Sequence, residues 1–370
     1  MNIGTVTEIK RYEFRVGLTP ANVNEYVQNG HNVFVQSGAG EGSLFSNEAY
    51  ENAGAKILSS AKEVWDTCDM IVKVKEPLEN EYDLIREDQI IYTYLHLAAD
   101  MALTKTLMER KAKAVAYETI KDKNGGLPLL KPMSEVAGKL AVQSGARCLE
   151  RIMGGRGLLL GGVPGVQRAN VLIIGAGSVG TSAMKMAVGL GAHVTILDKD
   201  LDRLTYLDDI YGSQIQTMYS TTYAIEQSLY EADLVIGAVL IPGAAAPKLI
   251  KKTHLQNMKK GSVIVDVAVD QGGCCETTKV TYHDDPVYTI DGVVHYGVAN
   301  MPGAVSLTST FALTNATLSR GLKIANLGLE NAIKSDEGLM LGVNTYKGKL
   351  TCEAVAQAFN MQYTNPSTLI

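Results

Sequence analysis

The chain has 370 residues, enough for two ordinary domains, and its mixed charge, with a formal net value of -5, argues against a polyanion-binding surface. It contains no apolar run of about 18 residues, and its opening MNIGTVTEIK lacks the apolar core of a secretory signal, so we expect no membrane and no nucleic-acid partner. Five scattered cysteines are typical of reduced thiols in a cytoplasmic protein. The vicinal pair Cys274–Cys275 could suggest a metal site, but we expect no metal.

The first 130 residues alternate strand and helix patterns. Strand-like segments lie at Thr5–Ile9, Asn32–Gln36, Ala55–Leu58, Met70–Lys75, Ile90–Leu97 and Ala114–Tyr117. Thr19-Pro20 is typical of an N-cap and first helical residue, and Gly30 closes that helix. Further helical segments lie at Asn47–Ala53, Ala61–Asp66 and Thr104–Arg110. This alternation predicts a largely parallel sheet covered by helices.

A break follows at Asn124-Gly125-Gly126 and Pro128, and Ser134–Ile152 then has the length and composition of a connecting helix. Strand patterns begin near residues 171, 194, 215, 233 and 262, with another near Val287–Ile290. After residue 302 a long helical pattern runs from 306 to 334, and a strand-turn-helix element follows at 341–359. This tail is too short for a third domain, so we expect it to pack back on the first.

The segment Val171–Asp198 carries the most specific pattern in the chain. A buried-strand run precedes Gly175, Gly177 and Gly180 in G-x-G-x-x-G spacing, and a helix, a second strand and a terminal acid follow. The three glycines suit, in order, a tight turn, close backbone approach to a pyrophosphate, and close packing of helix on strand. The helix N-terminus offers amides to phosphate. Asp198 would bind the adenosine ribose and repel a 2′-phosphate, which favours NAD over NADP.

The predicted fold is α/β with two domains. A Rossmann-type, doubly wound dinucleotide-binding domain of residues 131–305 is inserted in a discontinuous α/β substrate domain of residues 1–130 and 306–370. We expect a cleft between the two domains.

Two residues of the first domain fall near the carboxyl ends of strands, where open α/β sheets bind ligands. In IVKVK, alternation places Lys73 and Lys75 on one face; they are either solvated lysines of an edge strand or, for Lys75, a ligand-binding group. In IYTYLHL, His96 is either a hydrogen-bonded core residue or a proton-transfer group whose ordinary pKa suits neutral pH.

Three further charged residues are candidates. Arg15 lies in the turn before the first helix, where it is either a surface residue or a bidentate partner for a substrate carboxylate. Asp266 and Asp270 flank the end of the strand Ser262–Val265. One acid in such a place is commonly structural, and Asp270 is the candidate for catalysis.

Taken together, these segments resemble the alanine dehydrogenase family, within the alanine dehydrogenase and transhydrogenase alpha-subunit group, over essentially the whole chain. The blocks that carry the resemblance occur in family order: RVGLTP at Arg15–Pro20, VKVKEP at Val72–Pro77, YTYLHLA at Tyr92–Ala98, LPLLKPMSEVAG at Leu127–Gly138, GGVPGV at Gly161–Val166, IGAGSVG at Ile174–Gly180, DVAVDQGG at Asp266–Gly273 and GVANMPGAV at Gly297–Val305.

The resemblance implies a reversible, NAD-dependent oxidative deamination of L-alanine to pyruvate and ammonium by a homohexamer. It implies that His96 and Asp270 handle protons, and that Arg15 and Lys75 bind the oxo-acid carboxylate and carbonyl. Besides the motif glycines, it assigns contacts with NAD to these residues: Ser134, Ser178, Val179, Asp198, Arg203, Ser220, Val239, Leu240, Val267, Lys279, Val298, Ala299, Asn300 and Met301.

The chain departs from the family pattern in places. Position 279 is lysine where arginine is expected, and Cys275 replaces an apolar residue. Tyr12, Phe14 and Gly17 also differ from the small or polar residues and the alanine usual there. None of these changes falls on the four residues assigned to catalysis and substrate binding.

Two competing functions remain open. One is the NAD(H)-binding part of proton-translocating transhydrogenase, against which stand His96 in its TYLHL context and the lack of a following membrane segment. The other is a lysine-forming saccharopine dehydrogenase, and the blocks at Arg15–Pro20 and Tyr92–Ala98 favour alanine over that larger substrate.

Overall fold

Two units, each built on its own sheet, make up the computed structural model, which describes residues 1–239 and 246–370. The first unit is Met1–Met133 together with Gly303–Ile370, and the second is Ser134–Pro302. The predicted α/β class is confirmed, although both sheets are mixed rather than purely parallel.

The amino-terminal part of the first unit alternates strands with helices. Its strands are β1 (Asn2–Thr5), β2 (Asn32–Gln36), β3 (Lys56–Leu58), β4 (Met70–Val72), β5 (Ile90–Thr93) and β6 (Lys113–Ala116). Its helices are α1 (Pro20–Gln28), α2 (Asn47–Asn52), α3 (Ala61–Thr67) and α4 (Met101–Glu109). The helix α5 (Lys131–Cys148) follows. It begins three residues before the predicted start of the connecting helix and ends four residues before its predicted end.

The predicted start and end of the first helix are confirmed. Thr19 accepts a hydrogen bond from the backbone of Asn22, whose side chain accepts one from the backbone of Thr19, so the two residues form a capping box. Pro20 occupies the first helical position, where its missing N–H costs nothing. Gly30 has φ +83°, a conformation that glycine adopts at low cost.

The second unit contains seven strands and, besides most of α5, three further α-helices within its described residues. The strands are β7 (Asn170–Ile174), β8 (His193–Asp198), β9 (Ile215–Tyr219), β10 (Leu234–Gly237), β11 (Val263–Asp266), β12 (Val287–Ile290) and β13 (Val293–Tyr296). The helices are α6 (Ser178–Gly189), α7 (Leu201–Tyr211) and α8 (Thr222–Glu231). The sheet order is β12-β13-β11-β10-β7-β8-β9, and only the β12–β13 pairing is antiparallel.

The strand predicted near Val287–Ile290 is confirmed as β12, and an unpredicted strand, β13, follows it directly, so that the two strands form a hairpin. Asp291 and Gly292, with φ of +51° and +80°, make a two-residue turn between β12 and β13. The sixth parallel strand of the sheet is therefore β13, and β12 is an antiparallel edge strand. An Asp-Gly pair between apolar runs is the sequence feature that indicates such a hairpin.

The carboxyl-terminal segment returns to the first sheet. It comprises α9 (Ser306–Leu327), α10 (Leu329–Lys334), α11 (Glu337–Met340), β14 (Val343–Tyr346), β15 (Lys349–Leu350) and α12 (Glu353–Phe359). The helical pattern predicted from 306 to 334 is confirmed at both ends, and Gly328 at φ +73° divides it into α9 and α10. Strand β14 pairs antiparallel with β6, which gives the order β15-β14-β6-β5-β4-β1-β2-β3.

The parallel parts of the two sheets share one strand order. In the first unit it is β3-β2-β1-β4-β5-β6, and in the second it is β9-β8-β7-β10-β11-β13. The connections change direction between β1 and β4 and again between β7 and β10, and ligands of open α/β sheets bind beyond the carboxyl ends of strands at such points. Each unit therefore has a predictable place for a site.

Apolar side chains cover both sheets. In the first unit, Trp65, Ile71, Ile91 and Leu103 are among the fully buried residues between the sheet and its helices. Burying each such side chain contributes about 1.5–3 kcal/mol. None of the helices in the described ranges has the length and apolarity needed to span a bilayer.

Gly180 provides a test of the close packing between α6 and β7. A β-carbon there would lie 1.7 Å from the backbone oxygen of Gly175, so Gly180→Ala should displace the helix and cost about 1–3 kcal/mol of unfolding free energy. Gly189, in the same helix, has open space around its β-position, and Gly189→Ala should be neutral or slightly stabilising. Urea unfolding of both variants measures the difference, and equal midpoints would contradict the packing argument.

Candidate active site

Three of the predicted site residues follow adjacent strands of the first unit. Arg15 lies in the loop after β1, Lys75 follows β4 and His96 follows β5. These strands are parallel neighbours, so their carboxyl ends lie at one edge of the sheet. The charge of Arg15 influences the pKa of Lys75, and that of Lys75 influences the pKa of His96. The fold thus brings the three residues together.

Arg15 is a buried residue, so the surface-arginine alternative is wrong. Its side chain is 3% exposed, and its Nε and Nη2 donate to the two carboxylate oxygens of Glu13 at 2.6 and 2.5 Å. Its Nη1 lies 2.9 Å from the sulfur of Met133. Burial alone would lower the pKa of the guanidinium, but Glu13 outweighs it and the pKa lies above its usual value. Arg15 is therefore a fixed cation in a dry environment.

Lys73 and Lys75 do not lie on an edge strand, so the reading of both as solvated edge lysines is wrong. Strand β4 is central, between β1 and β5, and it ends at Val72. Lys73 is fully buried, with its ammonium 2.9 Å from Glu81 and 3.4 Å from Glu8. Burial would lower the pKa of Lys73, but the two carboxylates raise it above its usual value. Lys73 is a structural cation.

Lys75 is half-buried, and its main chain is held on both sides. Glu8 accepts hydrogen bonds from the backbone N–H groups of Val74 at 2.6 Å and of Lys75 at 3.3 Å. The Thr93 hydroxyl donates to the Lys75 carbonyl at 2.9 Å. Burial, together with the positive charge of Arg15, lowers the pKa of the Lys75 ammonium. An ammonium with a lowered pKa can donate a proton more readily than an ordinary lysine.

His96 is exposed, so it is not the core histidine that was the alternative. Its backbone is left-handed, with φ +49° and ψ +33°, between the buried residues Leu95 and Leu97. Its ring stacks on that of Tyr94 with centroids 6.0 Å apart. Although the side chain is exposed, desolvation by the surrounding protein lowers its pKa, and the Glu118 carboxylate opposes that shift. The imidazole is thus predominantly neutral at neutral pH.

The glycine turn of the second unit has the geometry expected for phosphate binding. Gly175 has φ +104°, and a β-carbon there would lie 2.8 Å from the Ala238 carbonyl oxygen. A β-carbon at Gly177 would meet nothing within 4 Å, so the backbone there faces open space. Helix α6 begins at Ser178 with no side-chain cap on its first amides. Uncapped amides at a helix N-terminus favour an anion.

Asp198 and Arg203 both contact this turn. Asp198 accepts a hydrogen bond from the Ala176 amide at 2.5 Å and another from the Asp200 amide at 2.9 Å. Arg203 donates to the Ala176 carbonyl at 3.0 Å and to the Thr181 hydroxyl at 2.8 Å. Both side chains therefore help to hold the glycine turn, and a ribose at Asp198 would share a carboxylate already bound to backbone.

Most of the other predicted cofactor residues follow strand ends of the second sheet. Ser220 follows β9, Val239 follows β10, Val267 follows β11, and the segment 298–301 follows β13. Leu240 lies outside the described residues. Ser134 and Val179 are on helices α5 and α6. Lys279 follows no strand directly; its ammonium is 4.3 Å from the centroid of the Tyr288 ring.

The two aspartates after β11 differ sharply. Asp266 is buried and accepts hydrogen bonds from the Ala268 and Cys275 amides at 3.2 and 3.1 Å and from the Thr278 hydroxyl at 2.5 Å. It is the structural acid. Asp270 is exposed, in a short 3-10 helix, and is the acid available for chemistry.

Both cysteines of the vicinal pair are free and buried, and the described part of the chain contains no group of three residues suited to a metal ion.

Sequence reasoning missed three glutamates of the first unit. Glu8, Glu13 and Glu118 hold the segments that carry Lys75, Arg15 and His96, respectively. Each of these glutamates follows the end of β1 or β6, so their position near the end of a predicted strand is the sequence feature that could have identified them.

Two family profiles match nearly the whole chain. They are described as Alanine dehydrogenase/PNT, N-terminal domain, at residues 4–137, and Alanine dehydrogenase/PNT, C-terminal domain, at residues 141–353. The chain belongs to this family. It is 53% identical to the alanine dehydrogenase of Methanococcus maripaludis over 98% of both chains, and 53% identical to that of Halomonas elongata over 100% of both.

Solved structures agree with this family assignment. A structure described as L-alanine dehydrogenase superposes with a TM-score of 0.95 at 53% identity, over 97% of this chain and 99% of the other. A transhydrogenase from Sinorhizobium meliloti superposes with a TM-score of 0.82 at 23% identity, over 96% of this chain and 100% of the other. The second likeness shows the shared fold alone.

The buried ion pairs behind Lys75 can be tested by stability. Glu8→Gln keeps the side-chain volume but weakens the charged hydrogen bonds of Glu8, while Lys73 retains Glu81 at 2.9 Å, so the change should cost about 1.5–3 kcal/mol. The exposed pair Lys62–Asp66 offers a matched control, because Asp66→Asn should change the unfolding free energy by about 0.5 kcal/mol or less. Denaturant titration compares the two variants, and a Glu8→Gln cost no larger than that of Asp66→Asn would contradict the structural role.

Proposed function

We propose that this protein catalyses the reversible, NAD-dependent oxidative deamination of L-alanine to pyruvate and ammonium. By its similarity over the full length to alanine dehydrogenases at 53% identity, the chain is an alanine dehydrogenase and an oxidoreductase. The observation that carries the proposal for particular residues is the grouping of Arg15, Lys75 and His96 at one edge of the first sheet.

We assign the cofactor to the inserted domain, residues 131–305, and the substrate to residues 1–130 and 306–370. The open backbone at Gly177, the uncapped start of α6 and the carboxylate of Asp198 suit a dinucleotide without a 2′-phosphate. A bound NAD would supply the acceptor for the hydride of the substrate Cα. The contacts proposed on family resemblance are those of the motif glycines and of Ser134, Ser178, Val179, Asp198, Arg203, Ser220, Val239, Leu240, Val267, Lys279, Val298, Ala299, Asn300 and Met301.

Arg15 and Lys75 are the proposed substrate-binding residues. A guanidinium held rigidly by Glu13 is preorganised to donate hydrogen bonds to a second carboxylate, so Arg15 would anchor the substrate carboxylate. The lowered pKa of Lys75 suits a group that stabilises the carbonyl oxygen as negative charge develops on it. Both residues thus orient the reacting carbon.

Asp270 and His96 are the proposed proton-handling pair. Once the substrate ammonium has released a proton to solvent, loss of the Cα hydride leaves an iminium ion, and water must attack its carbon while a base takes the water's proton. Asp270, exposed after β11, would orient and deprotonate that water. His96 would then move a proton between the carbinolamine oxygen and the departing ammonia, for which a neutral imidazole is required. We also propose that the protein is a cytoplasmic homohexamer. The hexamer is proposed from the family resemblance, and the cytoplasmic location is proposed from the free cysteines.

One assay tests the function against its competitors. We expect NADH to appear with NAD and L-alanine within a panel of amino acids, and NADH to be consumed with pyruvate plus ammonium. Turnover with saccharopine alone would indicate the lysine-forming enzyme. NAD(H) binding without turnover of any amino acid would indicate a transhydrogenase-like role, and either result would overturn the proposal.

His96→Ala tests the proton-transfer role. Removing a positioned acid–base group should lower kcat by roughly 10²–10⁴-fold, with little change in affinity for NADH. His31→Ala is the matched control, because His31 lies elsewhere in the same unit and contacts Met1 and Asn326. In the parent enzyme, alanine oxidation requires neutral His96, so activity should fall with acid only below the usual histidine pKa. Near-normal turnover in His96→Ala would remove its role.

A further inference from the structure

Glu118 lies at the carboxyl end of β6, and its carboxylate reaches the neighbouring segment that carries His96. One carboxylate oxygen accepts hydrogen bonds from the backbone N–H groups of His96 at 2.6 Å and Leu95 at 3.0 Å. The other oxygen is 3.3 Å from the Leu95 amide. The contact joins the ends of two parallel strands, because the β5–β6 ladder stops at Thr93 and Ala116.

The backbone at His96 needs such a partner. Beyond Thr93 the Tyr94 amide still donates to the Val74 carbonyl at 3.3 Å, but the amides of Leu95 and His96 lie past the strand end and need another acceptor. His96 then adopts a left-handed conformation, which is unfavourable for a residue with a β-carbon. Because Leu95 and Leu97 are buried on either side, this reversal leaves the His96 side chain exposed. Glu118 satisfies the amides at the point where the chain reverses.

Several charges surround the imidazole. Glu118 and Glu76 are anionic, while Lys75 and Lys10 are cationic, and Glu118 exerts the largest of these influences on His96. Tyr94 covers one face of the ring. The turn after His96 packs against α4 and α12, whose charged residues are Lys105, Glu109 and Glu353. Asp100 caps α4 at the end of the same turn.

We propose that Glu118 is a positioning residue for His96: the Glu118 carboxylate holds the strained backbone of His96, so that the imidazole keeps one orientation. It acts through the main chain of His96 and not on the substrate. This inference rests on the proposed proton-transfer role of His96 for its effect on turnover. Its structural part, that a carboxylate fixes the segment 95–96, stands separately.

Two variants separate the charge from the hydrogen bonds. Glu118→Gln keeps the volume and one acceptor oxygen but removes the charge, and kcat should fall roughly 10–100-fold, as for residues that orient a functional histidine. Glu118→Ala also removes the acceptor, and its turnover should approach that of His96→Ala. Affinity for NADH should not change in either variant. Glu353→Gln removes a charge from a helix packed on the same turn and should retain activity.

Two readouts do not depend on turnover. Carbethoxylation of His96, followed by peptide mass spectrometry across pH, reports the neutral imidazole. Removing the carboxylate that raises the His96 pKa should move the midpoint of carbethoxylation to lower pH in Glu118→Gln and leave it in place in Glu353→Gln. Hydrogen exchange of the peptide containing Leu95 and His96 should accelerate in Glu118→Ala, while the helix α4 amides keep their protection.

The outcomes are distinguishable. An unmoved carbethoxylation midpoint in Glu118→Gln, with unchanged exchange at residues 95–96 in Glu118→Ala, would overturn the positioning role whatever the activity. Faster exchange and a moved midpoint with full activity in His96→Ala would keep the positioning role and remove the proposed function of His96. If Glu118→Ala does not fold, hydrogen exchange of the same peptide in Glu118→Gln decides: faster exchange supports the positioning role, and unchanged exchange overturns it.

Discussion

The first unit depends on carboxylates that bind backbone amides beyond the ends of parallel strands. The ladders of β4 and β5 stop at Val72 and Thr93, and the chain continues through buried or half-buried positions. Buried N–H groups without partners are costly, so each segment must find an acceptor outside the sheet. Glu8 and Glu118, from the neighbouring strand ends, supply those acceptors. Lys75 and His96 stand where they do because these bonds hold their main chain.

Such carboxylates bring charge into the interior, and the fold balances it locally. Lys73 lies between Glu8 and Glu81, and Arg15 pairs with Glu13 through two hydrogen bonds. Desolvating these groups offsets much of their mutual attraction, so the pairs add little net stability while removal of one partner is expensive. Their physical consequence is geometric: each ion pair permits only a narrow range of positions for the segment it holds.

The parallel strands of the second unit have the same order as those of the first, but here amides at a helix start are left without side-chain acceptors. At the start of α6 no side chain caps the first amides, and the backbone at Gly177 faces open space. Within this turn, the Asp198 carboxylate accepts a hydrogen bond from the Ala176 amide. The first sheet thus satisfies amides beyond its strand ends with its own glutamates, which fixes the segments that carry Lys75 and His96. The second leaves amides for an anion to satisfy.

The sequence by itself determined the α/β class, the inserted Rossmann-type arrangement and the glycine turn, because these follow from local patterns of apolar residues and glycine spacing. Strand-end position also indicated Lys75 and His96 without knowledge of their neighbours. The hairpin at Asp291-Gly292 was equally local, and a two-residue turn could have been predicted from that pair.

Only the tertiary structure decided the states of the site residues. Whether Arg15 lies on the surface, whether Lys73 is solvated and which aspartate after β11 is structural all depend on groups distant in sequence. Glu8 meets Val74 across 66 residues, and Glu118 meets His96 across 22. No local periodicity encodes such contacts, since they arise when the strand order places separate strand ends side by side. The chain therefore specifies its elements locally, while burial and charge pairing at the strand ends are properties of the assembled sheet.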